Sequence, residues 1–158
     1  MTPLSELELI GRLVLAAVLG FLIGLERELR GQAAGERTHA LVALGAAAFS
    51  LISGRAFPGG DTARVAAGVV TGIGFLGAGM ILKRKGEEIA GLTTAAGLWA
   101  VGSIGLAIGA GMYLLGTVTA GLVGLILAAE GVLRLDQRLK GRWSSDQEKT
   151  KVDDGYAD

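Results

Sequence analysis

Five long apolar blocks, separated by short charged stretches, run through the 158-residue chain between Leu7 and Leu133. Crossing a bilayer core of about 30 Å takes ~20 predominantly apolar residues in a helix. A soluble domain of this length does not require apolar segments that long. We therefore predict an all-α integral membrane protein, a glycine-rich bundle of about five transmembrane helices. The predicted spans are residues 7–25, 39–57, 64–82, 92–110 and 112–133.

The boundary between the fourth and fifth spans is the weakest of these, because Gly109-Ala110-Gly111 leaves room for no more than a tight turn. One long kinked helix, and hence four spans, is the alternative. The first block follows an acidic flank and is long for the apolar region of a signal peptide. We expect it to remain as the first helix.

Basic residues lie mostly on one side of the predicted spans. Three occur in the loop 26–38, three directly after the third span and six in the tail, twelve in all, whereas the other side has Arg55 and Arg64. The positive-inside rule then places the amino terminus outside and the carboxyl terminus in the cytoplasm. Residues 134–158 are predicted to form a basic cytoplasmic segment against anionic lipid, followed by a disordered tail.

Composition excludes several classes of function. The 15 basic and 15 acidic residues cancel, so there is no overall basic footprint for nucleic acid. Cysteine is absent and histidine occurs once, which removes thiolate chemistry and histidine metal clusters within one chain. No catalytic constellation is visible, so we expect neither an enzyme nor a bound cofactor.

Glycine is unusually frequent, at 27 residues, and most glycines lie inside the spans. Small residues let membrane helices approach closely, so the glycines predict packing surfaces. In the third span they fall on two opposite faces, which predicts that this helix is packed on both sides and forms the packing centre. The predicted packing residues are Gly20, Gly24, Gly68, Gly72, Gly74, Gly77, Gly79, Gly105 and Gly109.

Residues 72–77 read GIGFLG and match the dinucleotide fingerprint G-x-G-x-x-G. That fingerprint requires a preceding strand and a following amphipathic helix, and an apolar span supplies neither. Plain helix packing is the simpler interpretation. The alternative is a helix that unwinds here and turns carbonyl oxygens toward an ion.

Few ionisable residues lie at membrane depth, where they are functional candidates by default. Arg12 lies inside the first span with Glu8 one turn earlier, so the two can form an ion pair, and an outward-facing gate is the alternative. Glu26, at the inner end of that span, either pairs with Arg30 or points into the bundle at the cytoplasmic mouth.

Threonines begin the second and fourth spans, at Thr38 and at the pair Thr93 and Thr94. They predict side-chain capping of free backbone donors, next to basic residues that favour an anion such as a lipid phosphate. His39 follows Thr38, and its position predicts a solvated interfacial side chain, with pH sensing as the alternative.

Three pairs of segments together resemble the MgtC/SapB family of bacterial membrane proteins, in order and in loop length. They cover most of residues 11–125. The segments read GFLIGLERE over 20–28 with RTHALV over 37–42, RV over 64–65 with GIGFLGAG over 72–79, and GLTTAA over 91–96 followed by Trp99.

The resemblance implies an inner-membrane protein associated with growth at low magnesium and with stress adaptation. Better-known members continue into a small cytoplasmic domain, so this chain, with 25 residues after Leu133, is expected to be a short form. Two functions stay open. One is non-enzymatic helix–helix contact with itself, as a homo-oligomer, or with another membrane protein. The other is a channel or transporter for Mg²⁺ or another ion, with Glu26 at the mouth and the glycines of span three lining the path. The candidate functional residues are Glu26, Arg27, Arg37, Thr38, His39, Arg64, Thr93, Thr94 and Trp99.

Overall fold

A computed structural model describes residues 6–57, 59–81 and 89–129, and these form five α-helices. Internal contacts divide the chain after Gly124, so the bundle described below ends there and residues 125–129 belong to a second unit. The helices are α1 (Glu6–Leu29), α2 (Glu36–Ala56), α3 (Thr62–Met80), α4 (Leu92–Gly109) and α5 (Tyr113–Ala129).

The predicted all-α membrane fold is confirmed, since α1 to α4 are each long and apolar enough to cross a bilayer and α5 is a shorter apolar helix. A turn at Ala110–Met112 separates α4 from α5, with Gly111 in the left-handed conformation at φ +83°, so the single kinked helix is wrong. The orientation of the termini and the membrane boundaries stay predictions. The basic residues at 83–85 and the tail 134–158 lie outside the described residues.

Glycine, rather than threonine, precedes the two helices whose starts were predicted to be capped by hydroxyl groups. Gly35 precedes α2 and Gly91 precedes α4, and neither start has a side-chain cap. Gly91 has φ +90°, and a Cβ atom there would overlap the carbonyl oxygen of Met80. The capping prediction was therefore wrong, because backbone crowding selects glycine at Gly91. Asp61 does cap α3, where its side chain accepts a hydrogen bond of 3.0 Å from the Ala63 N–H.

The centre of the bundle is α4, half of whose most apolar window is buried. Its glycines lie directly on the α2 backbone: a Cβ atom at Gly105 would overlap the Ala43 carbonyl oxygen, and one at Gly109 would lie 2.6 Å from that of Ala47. The residue of α2 that is faced changes from Ala43 to Ala47 as one goes from Gly105 to Gly109 on α4. The two helices α2 and α4 therefore run in the same direction. Leu98, Val101, Ile104 and Ile108 fill the core from α4.

Helix α1 packs on α2 in the same manner, through Gly20 and Gly24. A Cβ atom at Gly20 would lie 2.6 Å from the His39 carbonyl oxygen, and one at Gly24 would lie 2.7 Å from that of Gly35. These glycines admit the neighbouring backbone at a distance that no larger residue allows. The first helix is thus fixed against the start of the second.

Helix α3 is not the packing centre that its glycines predict. It buries 11% of its most apolar window, with Ile73 and Gly77 as its buried residues. A Cβ atom at Gly77 would lie 3.5 Å from Ala95 of α4, so this position supplies one packed face. A Cβ atom at any of the remaining glycines of α3 would meet nothing within 4 Å, so their packing role stays a prediction about contacts beyond this chain. They are Gly68, Gly72, Gly74 and Gly79.

Arg12 fastens α1 to the turn between α4 and α5. Its Nη2 donates to Glu8 Oε1 at 2.7 Å, which confirms the predicted ion pair. Its Nη1 donates to the Gly109 carbonyl oxygen at 2.9 Å, and its Nε donates to the Tyr113 hydroxyl at 2.9 Å. A guanidinium at the carboxyl end of α4 also complements the negative end of the helix dipole. The hydrogen bonds and the ion pair of Arg12 therefore have a structural role: they hold α1 to the end of α4.

If the contact between α2 and α4 holds the bundle together, Gly105→Ala should lower the thermal unfolding midpoint in detergent. The added methyl group meets a backbone carbonyl, which cannot move aside, and overpacking of this kind costs about 1–3 kcal/mol. Gly121→Ala is the matched control, because nothing lies within 4 Å of that position. Equal midpoints for the two variants would contradict the packing assignment.

Candidate functional site

Three polar side chains converge where α1 ends and α2 begins, and we call Glu26, Arg27 and His39 the α1–α2 cluster. Arg27 and His39 are 1% and 0% exposed, which is rare for such residues in a helical protein. Glu26 and Arg27 both act electrostatically on the His39 ring. Ionisable side chains are seldom fully buried without a structural or functional reason, which marks the cluster as the candidate site.

Arg27 reaches the cluster because it extends the glycine face of α1. Gly20, Gly24 and Arg27 follow one another at helical spacing, so the close approach at the two glycines carries Arg27 against the start of α2. Its Nη1 lies 3.8 Å from Glu26 Oε2. Burial of the long side chain makes Arg27 the largest fully buried residue of the described chain.

Glu26 brings its carboxylate into the cluster. The side chain as a whole is 24% exposed, but both carboxylate oxygens are buried, and Oε1 forms an ion pair with Nε of Arg30 one turn later. The predicted pairing with Arg30 is confirmed. The alternative, in which Glu26 points into the bundle at the cytoplasmic mouth, stays a prediction.

His39 is held in one tautomer by the backbone. Its Nδ1 lies 2.9 Å from the carbonyl oxygen of Gly35, which can only accept, so Nδ1 carries the proton. In the neutral ring Nε2 is then an acceptor, and it is buried without a hydrogen-bond partner among the described residues. The predicted solvated position of His39 was wrong, because the close contact of α2 with α1 at Gly20 covers the ring side of the helix.

The other candidates are spread over the structure. Thr94 is 3% exposed in the first turn of α4, at the same end of the bundle as the cluster, because α2 and α4 run in parallel. Arg64 lies at the opposite end, in the first turn of α3. The remaining candidates have exposed side chains. They are Arg37, Thr38, Thr93 and Trp99.

The cluster contains charged side chains and one oriented hydrogen-bond acceptor, Nε2 of His39. The described residues contain no group of three or more His, Asp or Glu side chains placed to hold a metal ion. A cation would also meet the Arg27 and Arg30 guanidinium groups beside Glu26. The arrangement is typical of a buried polar contact that fixes two helices, rather than of a dehydrating magnesium cage, which needs several oxygen ligands in octahedral geometry.

Burial of Arg27 was missed from the sequence, although a signal existed. The small-residue pair Gly20 and Gly24 marks the packed face of α1, and the next position on that face is Arg27. The inward-pointing position was instead proposed for the neighbouring residue, Glu26.

If the Gly35 hydrogen bond orients His39, two amide replacements should differ. Asparagine places an amide donor close to the position of Nδ1, whereas glutamine places one close to that of Nε2. We expect His39→Asn to keep about 1 kcal/mol more stability than His39→Gln, the usual net value of one hydrogen bond. Thermal unfolding in detergent measures the difference, and a more stable His39→Gln would show that Nε2 makes the important contact.

Comparison with known proteins places the chain among related sequences. The model of the MgtC family matches residues 13–134. The "Putative magnesium transporter YhiD" of Escherichia coli K12 is 47% identical over 128 residues, covering 76% of this chain and 59% of that protein. Protein MgtC of Brucella abortus is 52% identical over 101 residues, covering 61% and 40% respectively. Protein MgtC of Salmonella typhimurium is 46% identical over 128 residues, covering 79% and 54%.

The chain thus spans about half the length of the curated relatives it matches. No solved structure matches it. The family match covers α2 to α5 whole and most of α1, and therefore both the α1–α2 cluster and the open face of α3. From the family match and the apolar helices, the chain belongs to the MgtC family and is a multi-pass protein of the bacterial inner membrane.

Proposed function

We propose that this protein takes part in magnesium or ion homeostasis or in stress adaptation without being an enzyme, and that it acts through helix–helix contact with itself or with another membrane protein. One observation carries the proposal: α3 has the length of a membrane span but buries 11% of its most apolar window within its own chain. The name of the YhiD relative supports magnesium as the physiological context.

The surface for such a contact is a row of small residues on α3, and we call it the α3 stripe. Ala67, Thr71, Gly74 and Ala78 recur at intervals of four, three and four residues, which places them on one helical face. All four are exposed, and a Cβ atom at Gly74 would meet nothing within 4 Å. In lipid, a flat row of small residues gains from van der Waals contact with a second helix.

Thr71 can take part in this surface without leaving its hydroxyl group unpaired in the membrane. Its hydroxyl donates to the carbonyl oxygen of Ala67 at 2.9 Å within the same helix, so the side chain can face lipid or a partner. Small-xxx-small spacing with a hydroxyl group is typical of transmembrane helix interfaces. The sequence contains this pattern in full. The packing prediction from the sequence considered the glycines of this span and did not include the other small residues.

Conduction of Mg²⁺ or another ion is the alternative, with Glu26 at the mouth and glycines of α3 along the path. The charges of the described spans lie toward the helix ends, and Glu26 is already paired with Arg30. A Cβ atom built on most glycines of α3 would meet nothing within 4 Å, so within one chain these glycines do not enclose an ion path. They are Gly68, Gly72, Gly74 and Gly79. These features favour contact over conduction.

Growth of a bacterium deleted for its own family member, at limiting magnesium, tests the proposal. Gly74→Leu should abolish complementation while the purified variant keeps the wild-type unfolding midpoint, because leucine projects from the α3 stripe without touching the bundle. Gly121→Leu, another open glycine, should complement normally. Full complementation by Gly74→Leu would contradict a role for the stripe.

Proteoliposomes measure the alternative directly. We expect no Mg²⁺ flux through the wild-type protein above that of empty vesicles, with K⁺ and protons compared in the same vesicles. Mg²⁺ flux that is lost in Glu26→Gln, a variant that folds normally, would establish conduction instead.

A further inference from the structure

A groove separates α2 from α3 on the side of α3 away from the α3 stripe. It has a volume of about 590 Å³, and every side chain along it is apolar. Its floor is formed by Gly45 and Ala46 on α2 and by Gly68 and Gly72 on α3. The walls include Phe49 and Leu76, two large side chains that are 55% and 51% exposed. Because both helices span the membrane, the groove faces hydrocarbon.

The length of the groove suits a hydrocarbon chain. Its α3 wall runs from Val65 to Leu76, a rise of roughly 16 Å at 1.5 Å per residue. An extended acyl chain can lie along an apolar wall of that length, and the charges at one end of the groove then decide between a lipid and another apolar occupant.

Two opposite charges lie at the start of α3, next to Val65, which lines this end of the groove and which we take as its mouth. Arg64 lies one turn before Gly68 on the same flank of α3, and its side chain is exposed. Asp61 is the N-cap of α3, three residues earlier, and it is also exposed. In the described part of the chain neither residue has an ion pair, with the other or with a third group.

We propose that this groove binds one zwitterionic phospholipid that carries a primary ammonium group. The acyl chain lies along Gly68 and Gly72, the phosphate contacts Arg64, and the ammonium group contacts Asp61. The charge pair at the mouth complements the two charges of such a headgroup, while the all-apolar groove complements the chain. This site is separate from the helix contact proposed above, because the two use different faces of α3.

Native mass spectrometry of the detergent-purified protein, titrated with phosphatidylethanolamine, tests the site. We expect one retained lipid per chain. Gly68→Leu should weaken retention at least tenfold, because the leucine side chain fills the groove and nothing within 4 Å opposes its Cβ atom. Arg64→Gln should weaken it severalfold. The matched controls are Gly121→Leu, at an open glycine outside the groove, and Arg37→Gln, at an exposed arginine at the other end of α2.

The outcomes separate the possible occupants. Loss of the lipid in Gly68→Leu and Arg64→Gln, with retention in both controls, supports the proposal. Equal retention in all variants overturns it, and so does stronger retention of phosphatidylglycerol, which would show that the headgroup is anionic. A wild-type dimer without lipid that becomes monomeric in Gly68→Leu would assign the groove to a second copy of the chain. Because Gly74 is unchanged in these variants, complementation at limiting magnesium reports on the α3 stripe independently.

Discussion

The contact between the α2 backbone and the glycines of α4 sets the arrangement of the other helices. At Gly105 and Gly109 no side chain separates the two helices, so α4 approaches α2 closely enough to bury half of its most apolar window. Gly20 and Gly24 bring α1 onto the same helix, and Arg12 then ties α1 to the end of α4. Three helices therefore share one core, although lipid offers them no hydrophobic driving force for association.

This core leaves α3 at its side. One face of α3 meets α4 at Gly77, one borders the apolar groove toward α2, and one presents the α3 stripe. The unequal burial of the spans is what links structure to function in our account. A helix that contributes little to its own bundle is free to contribute to another, and a gap beside it admits lipid. The α1–α2 cluster has the opposite character, since Arg27 and His39 are enclosed where α1 and α2 are held together.

Hydropathy alone predicts the five helices and their membrane environment, because the length of each apolar block matches the thickness of the bilayer core. The Glu8–Arg12 and Glu26–Arg30 pairs follow from helical spacing and are also present. Burial was harder to predict. Glycines in α3 and α4 look alike in sequence. Gly105 and Gly109 of α4 nevertheless lie against the α2 backbone, whereas most glycines of α3 face open space, and this difference depends on tertiary packing. Glu26 and Arg27 were both candidates, but the burial of Arg27 depends on how closely α1 packs on α2, which helical spacing alone does not give. The predicted threonine caps are absent because backbone crowding selects glycine at Gly91.

The central claim is that α3 is a contact helix, and photo-crosslinking in native membranes tests it most directly. A photoreactive amino acid is placed at Thr71, in the middle of the α3 stripe, and for comparison at Leu22, which is 57% exposed on α1. Our account predicts a discrete protein adduct from position 71 and lipid adducts alone from position 22. Lipid adducts alone from both positions would contradict it.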